Sequence, residues 1–219
     1  IIGGTGSGKS TLVSLIPRLY DTTQGEVKVG GVDVRKYDLH TLRNKVAMVL
    51  QNNVLFSGSV ADNLRWGDED ATDEELRHAA KQAEEFVDAF PEGFGYDLGQ
   101  GGVNVSGGQK QRLCIARALL KKPDVIIFDD STSAVDTKTD ALIRDALKKY
   151  APQTTKIIIA QRVSSVQDAD KILIMDEGRI VSVGTHEELL HSSEIYRDLY
   201  LSQMQGSADA SQEEVSKNA

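Results

Sequence analysis

At 219 residues the chain is long enough for one α/β domain with a subdomain, and 33 Asp and Glu against 25 Lys and Arg leave a net charge of -8. That balance argues against a large phosphate-backbone footprint, so no nucleic acid partner is expected. A single cysteine, Cys114, excludes an internal disulfide framework and fits a reducing compartment, and no apolar run reaches the roughly 18 residues that a bilayer span needs.

The chain opens on Ile1-Ile2, two β-formers directly against a glycine-rich run, which reads as the end of a strand whose beginning is missing. Gly3-Gly-Thr-Gly-Ser-Gly-Lys-Ser10 follows. Lys9 to Leu19 has the make-up of a helix, with Pro17 placed to end it early. Gly25 to Val34 alternates on either side of Gly30-Gly31, the signal of a small antiparallel hairpin. Val46 to Leu50 is an apolar run of strand length that stops at Gln51. From Thr72 to Phe90 the pattern turns helical, with Leu76, Ala79, Ala80, Ala83 and Val87 at spacings of three and four, so a helical subdomain is expected near residues 60–122. Val125 to Phe128 is of buried-strand type and ends in Asp129-Asp130, and Ile157 to Ala160 and Ile172 to Met175 repeat that type. The alternation predicts an α/β fold: a mostly parallel sheet covered on both faces, a small antiparallel β addition and an inserted helical subdomain. After Leu201 the composition becomes polar and free of aromatics, so residues 202–219 are expected to form a disordered tail.

The run Gly3, Gly4, Thr5, Gly6, Ser7, Gly8, Lys9, Ser10, continued by Thr11, matches the phosphate-loop pattern and lies where that loop must lie, between a strand end and a helix start. Glycines let successive N–H groups turn inward around the phosphates of ATP, helped by the positive end of the following helix. Lys9 adds a point charge to those phosphates, and Ser10 offers a hydroxyl to Mg²⁺, which keeps several waters and needs few protein ligands. A plain glycine-rich turn is the competing reading, and the strand and helix on either side speak against it. Asp129, ending an apolar strand, is the natural second Mg²⁺ partner, although without the loop it would read as a helix cap.

Val105, Ser106, Gly107, Gly108 and Gln109, followed by Lys-Gln-Arg and the helical Leu113 to Leu120, resemble the signature motif of ABC ATPases, and the resemblance runs from Gly3 to about Leu201. It implies a P-loop NTPase fold of the RecA-like kind, with ATP and Mg²⁺ as cofactors. Gln51 then matches the Q-loop residue, a further metal and catalytic position, and Ser133, Ala134, Val135 and Asp136 match the D-loop. In that family two such domains pair head to tail, each ATP lying between one domain's phosphate loop and the other's signature. Ser106 and the two glycines suit the task, exposing N–H groups at a helix start towards a γ-phosphate supplied from outside. The segment Val54 to Trp66 looks like the part of ABC exporters that receives a membrane-spanning portion, against the plainer reading that Phe56 and Trp66 simply pack. The resemblance places that portion on the same full-length chain and the domain at the cytoplasmic face of the cell membrane.

Active family members carry glutamate after the strand aspartate, where this chain has Asp130, and a switch histidine where it has Gln161. One methylene fewer withdraws the carboxylate by roughly 1 Å, a misplacement that can cost about a hundredfold in rate. Gln161 can donate a neutral hydrogen bond but carries no charge. Gln100 also replaces the usual glutamate before the signature. With Asp130, Gln161 and Gln51 as the catalytic positions, the expectation is a slow site on this chain's Lys9 loop and a competent one on a partner's loop, in a heterodimer. A fully active homodimeric transporter ATPase and an ABC clamp of DNA repair are the alternatives. Thr185 to Glu188 reads as a capping box with His186 exposed, Cys114 as a small buried hydrophobe, and His40, His78 and His191 lack the spacing of a metal site.

Overall fold

Turn chemistry decides where the short elements of this chain stop, and the apolar runs decide which of their faces are buried. The computed structural model describes residues 1–83, 87–129, 141, 144–145, 147–149 and 151–217, with side chains up to residue 205 at the carboxyl end. β1 (Ile2–Gly3) leads into α1 (Lys9–Ser14), which is shorter than the Lys9 to Leu19 expectation. Pro17 has no N–H and its ring would meet the carbonyl of Val13, so the chain leaves the helix by tight turns, with Arg18 at φ 54. β2 (Lys28–Val29) and β3 (Val32–Asp33) pair antiparallel across Gly30 and Gly31, whose φ values of 57 and 79 supply the positive φ that a two-residue hairpin turn needs at both positions.

Four later helices announce themselves by caps. Asp38 accepts from the Thr41 amide at the start of α2 (Leu39–Lys45), ahead of β4 (Val46–Val49). Ser59 with Asp62 and Thr72 with Glu75 form capping boxes before α3 (Val60–Arg65) and α4 (Asp73–Gln82), and Ser106 with Gln109 does the same before α5 (Gly107–Leu120). Beyond α5 come β5 (Val125–Asp129), β6 (Thr155–Ile159), β7 (Ile172–Asp176) and β8 (Arg179–Gly184), then α6 (His186–Ser192) and α7 (Glu194–Lys217). The Thr72 to Phe90 helix expectation resolves into α4 and a 3₁₀ turn at Val87–Ala89, with residues 84–86 outside the described set. α7 is helical through Lys217, past residue 201 where composition alone sets a domain end and a disordered tail.

Two compact units divide the chain. In the unit of Ile1–Lys9 and Ile159–Ala219, β7 lies between β1 and β8, parallel to β1 with Ile2 opposite Ile174, and antiparallel to β8 across Glu177 and Gly178. Ile2, Ile172, Ile174, Leu189 and Tyr196 form its buried interior. In the unit of Ser10–Ile158 the strand order is β4-β5-β6, with β4 and β5 parallel and Val49 opposite Phe128. Leu64, Leu76, Leu113 and Ile115 of α3, α4 and α5 join Ile126 and Phe128 of β5 in one cluster. Each such side chain, fully buried, contributes about 1.5–3 kcal/mol. The architecture is the expected α/β fold with parallel pairing and an antiparallel addition, enlarged by β8. No helix among the described residues is long and apolar enough to cross a membrane.

Candidate nucleotide site

The loop between β1 and α1 is wrapped around its own lysine. The Lys9 ammonium donates to the Gly3 carbonyl at 2.8 Å, the Gly4 carbonyl at 2.7 Å and Ser7 Oγ at 3.2 Å, three contacts that lie within the loop. At Gly3 a Cβ would sit 2.1 Å from the Met175 carbonyl oxygen of β7, so only glycine lets the strand end lie this close. Gly6 and Gly8 have φ of 80 and 89, the left-handed region that favours glycine. Ser7 is buried, and its carbonyl accepts from the Gly178 amide at 3.1 Å. Gly4, Thr5 and Gly6 are left exposed at the crown of the loop.

Ser10, in the first turn of α1, donates from Oγ to Asp129 Oδ1 at 2.8 Å. These two residues stand 119 positions apart in sequence and meet because β5 ends at Asp129. A hydroxyl and a carboxylate are the hard oxygen donors Mg²⁺ selects, so the pair fits that ion; with one carboxylate, most of the coordination shell falls to water and phosphate. Gln51 is exposed two residues past Val49, and the parallel register of β4 and β5 sets it at the same carboxyl edge as Asp129. Thr11 is exposed on α1. Asp130, Ser133, Ala134, Val135 and Asp136 lie outside the described residues.

Gln161 follows Ala160, whose amide donates to the Ile1 carbonyl at 3.2 Å, and is exposed. Its own carbonyl accepts from Gln203 Nε2 of α7 at 2.8 Å, and Gln203 Oε1 accepts from the Val163 amide at 2.8 Å. Sequence reasoning missed Gln203, which sits in a polar stretch with no motif around it.

At α5 the glycine-rich start has a different character. Gln109 N donates to Ser106 Oγ at 3.2 Å, and Ser106 N donates to Gln109 Oε1 at 2.8 Å. The first N–H groups of a helix lack intrahelical partners, and this box satisfies those of Ser106 and Gln109 but not those of Gly107 and Gly108. Val105 is buried beneath, whereas Ser106 and Gly107 are exposed. A Cβ on Gly107 would meet nothing within 4 Å, and its φ lies outside the left-handed region. Gln100, also exposed, lies in a 3₁₀ turn ahead of this start.

A groove of about 370 Å³ opens elsewhere in the Ser10–Ile158 unit, with Leu50, Val54, Phe56, Trp66, Cys114 and Arg117 on its walls. Phe56 and Trp66 stack at 4.5 Å between centroids yet stay 42% and 63% exposed, so packing alone does not explain them. Arg117 holds the wall from behind, donating to the Asn63 carbonyl at 3.0 Å and the Val54 carbonyl at 3.2 Å. Burial lowers the Arg117 pKa and raises that of the half-buried Cys114 thiol.

Three of the histidines make local contacts. His40 and His78 each pair through Nδ1 with an amide one helical turn on, Asn44 and Gln82, and no cluster of three metal-ligating side chains occurs among the described residues. His186 departs from its expectation: it is half-buried, with Nδ1 2.8 Å from the Tyr196 hydroxyl and its ring edge-on to Tyr196 and Tyr200. The capping box at Thr185 is present as expected, but the ring turns onto α7 because Tyr196 is buried there and its hydroxyl needs a partner.

Comparison with known proteins converges on one family. Residues 1–133 match the family model described as ABC transporter. The chain is 46% identical over 202 residues to the Bacillus subtilis (strain 168) protein named "Putative multidrug export ATP-binding/permease protein YgaD", covering 91% of this chain and 35% of that protein. It is 43% identical over 192 residues to the heterocyst differentiation ATP-binding protein HepA of Nostoc sp. (strain PCC 7120 / SAG 25.82 / UTEX 2576), covering 87% of this chain and 32% of that one. A solved bacterial Atm1-family ABC exporter with ATP bound superposes with a TM-score of 0.88 at 36% identity, over 92% of this chain and 36% of the exporter's. The chain thus spans about a third of the length of the relatives it matches. It belongs to the ABC transporter family, as an ATP-binding domain of the exporter type.

Proposed function

We propose that this domain works in a membrane exporter by ATP-driven, head-to-tail closure with a second ATP-binding subunit, its signature loop completing the partner's site while its own site turns over slowly. The observation that carries this is Gly107. Neither backbone conformation nor crowding within the chain requires glycine there, although glycine in a helix costs about 0.8–1.0 kcal/mol relative to alanine. The reason for glycine then lies outside the chain, in the close approach of a phosphate to the Gly107 and Gly108 amides. Gly107→Ala is expected to raise the melting temperature of the domain while cutting ATP turnover of the assembled exporter by about tenfold or more, as for loss of a donor to transition-state charge. Turnover left intact by this replacement contradicts the reading.

On its own site the chain supplies Lys9 and the loop amides of Gly3 to Gly8 to the phosphates, and Ser10 and Asp129 to Mg²⁺, with Gln51 at the same edge. The bound ion would neutralise phosphate charge. Asp130 and Gln161 replace the acid and histidine that orient the attacking water and grip the γ-phosphate, and both changes weaken turnover without removing binding. Asp130→Glu combined with Gln161→His is expected to raise steady-state ATP hydrolysis of the exporter. A strong homodimeric ATPase without these changes overturns the slow-site reading. We take residues 1–201 as the ATP-binding unit, and the groove at Phe56 and Trp66 as the seat of the membrane-spanning part. The relatives' ATP-binding/permease naming and the exposed aromatic stack support that assignment. This arrangement puts the domain at the cytoplasmic face of the membrane.

A further inference from the structure

The loop after β6 ends in a 3₁₀ turn, Val163–Ser165, whose preceding residue is Arg162. A turn of this kind leaves its first amide unsatisfied, and helix starts are usually capped by Ser, Thr, Asp or Asn at the preceding position. A guanidinium only donates, so the Arg162 side chain cannot accept from that amide and makes no cap. The cap comes instead from forty residues downstream: Gln203 Oε1 accepts from Val163 N, and the same amide group donates from Nε2 to the Gln161 carbonyl, both at 2.8 Å. One planar side chain thus holds the backbone on both sides of Arg162. The other side of the loop is tied to the strand that feeds the phosphate loop, through the Ala160 amide and the Ile1 carbonyl.

From this clamp we infer that Gln203 is a positioning residue for Gln161, through which α7 sets how the switch loop meets the γ-phosphate. The inference rests on the proposed reading of Gln161 as the γ-phosphate contact, and it adds a residue that acts through the backbone on either side of Arg162. A side-chain amide suits the task better than a charge. It can donate and accept in one plane, whereas glutamate would accept from Val163 but set its second oxygen against the Gln161 carbonyl, and lysine could donate but not accept.

The test measures ATP and ADP affinity separately in the full exporter, because the ratio of the two isolates the γ-phosphate contact from general binding by the Lys9 loop. Gln203→Leu is expected to weaken ATP binding about three- to tenfold, the range for one lost hydrogen bond, and to leave ADP within about twofold. Gln161→Ala should do the same, and the double replacement should be no worse than either alone, since both remove one contact. Gln203→Glu should fall with Gln203→Leu in ATP affinity, while hydrogen exchange at the Val163 amide should quicken in Gln203→Leu and stay slow in Gln203→Glu. If Gln161→Ala lowers the ATP-to-ADP ratio and Gln203→Leu does not, or if Gln203→Leu weakens both nucleotides equally, the positioning role is wrong and the Gln161 reading stands. If Gln161→Ala leaves the ratio unchanged, both fall together.

Discussion

Among the described residues two glycine-rich helix starts stand out, and Gly3, Gly6 and Gly8 of one are constrained by the fold in a way that Gly107 of the other is not. Before α1, a Cβ on Gly3 would sit 2.1 Å from the Met175 carbonyl oxygen, Gly6 and Gly8 take positive φ, and Lys9 closes the loop on itself. Those glycines are demanded by the fold. Before α5, the capping box of Ser106 and Gln109 is regular, and Gly107 faces open space. A helix start with an ordinary cap and an unneeded glycine fits the proposed approach of a phosphate held by another chain. Glycine alone therefore does not say why it is there; what its missing side chain would have struck does.

Single replacements can break this contrast. The largest effect is expected at Gly3→Ala, where the new methyl must displace a backbone carbonyl at a cost on the order of 1–3 kcal/mol or more. Thermal melting should show a fall of several degrees, at about 2–4 °C per kcal/mol for a chain of this size. Unchanged melting would mean the close approach to β7 is not what fixes glycine there. A smaller effect is expected at Ser106→Ala, which removes the cap of α5 at about 1 kcal/mol. Its melting temperature should drop, opposite in sign to the rise expected for the neighbouring Gly107→Ala, while both impair turnover. If the two neighbours shift stability in the same direction, the division between cap and phosphate-facing amide fails.

Legibility followed local chemistry. The hairpin at Gly30 and Gly31 could be read because a two-residue turn with positive φ at both positions has a narrow residue code. β5 was legible as an unbroken apolar run, and its terminal Asp129 accepts a hydrogen bond from Ser10. α2 and β8 went unread, and α3 was covered only by the general expectation of a helical subdomain near residues 60–122. α2 and α3 are seven and six residues long, too short for periodicity to register, and only the caps at Asp38 and Ser59 mark them. β8 keeps Ile180, Val181 and Val183 exposed, so its pattern never alternates cleanly between polar and apolar. Gln203 and the pairing of His186 with Tyr196 were illegible for a different reason. Both are made by α7 folding back, onto the start of α6 10 residues away and onto the loop after β6 40 residues away, and no local spacing encodes that return.

The central claim is that a phosphate gripped by the Lys9 loop of one polypeptide is closed over by the Ser106 loop of another. The most direct measurement is a structure of the assembled exporter trapped with ATP and Mg²⁺. The Gly107 and Gly108 amides should then lie within hydrogen-bond reach, about 3 Å, of a γ-phosphate held by a different chain's loop. Nucleotide enclosed by one chain alone, with Ser106 far from any triphosphate, would contradict it.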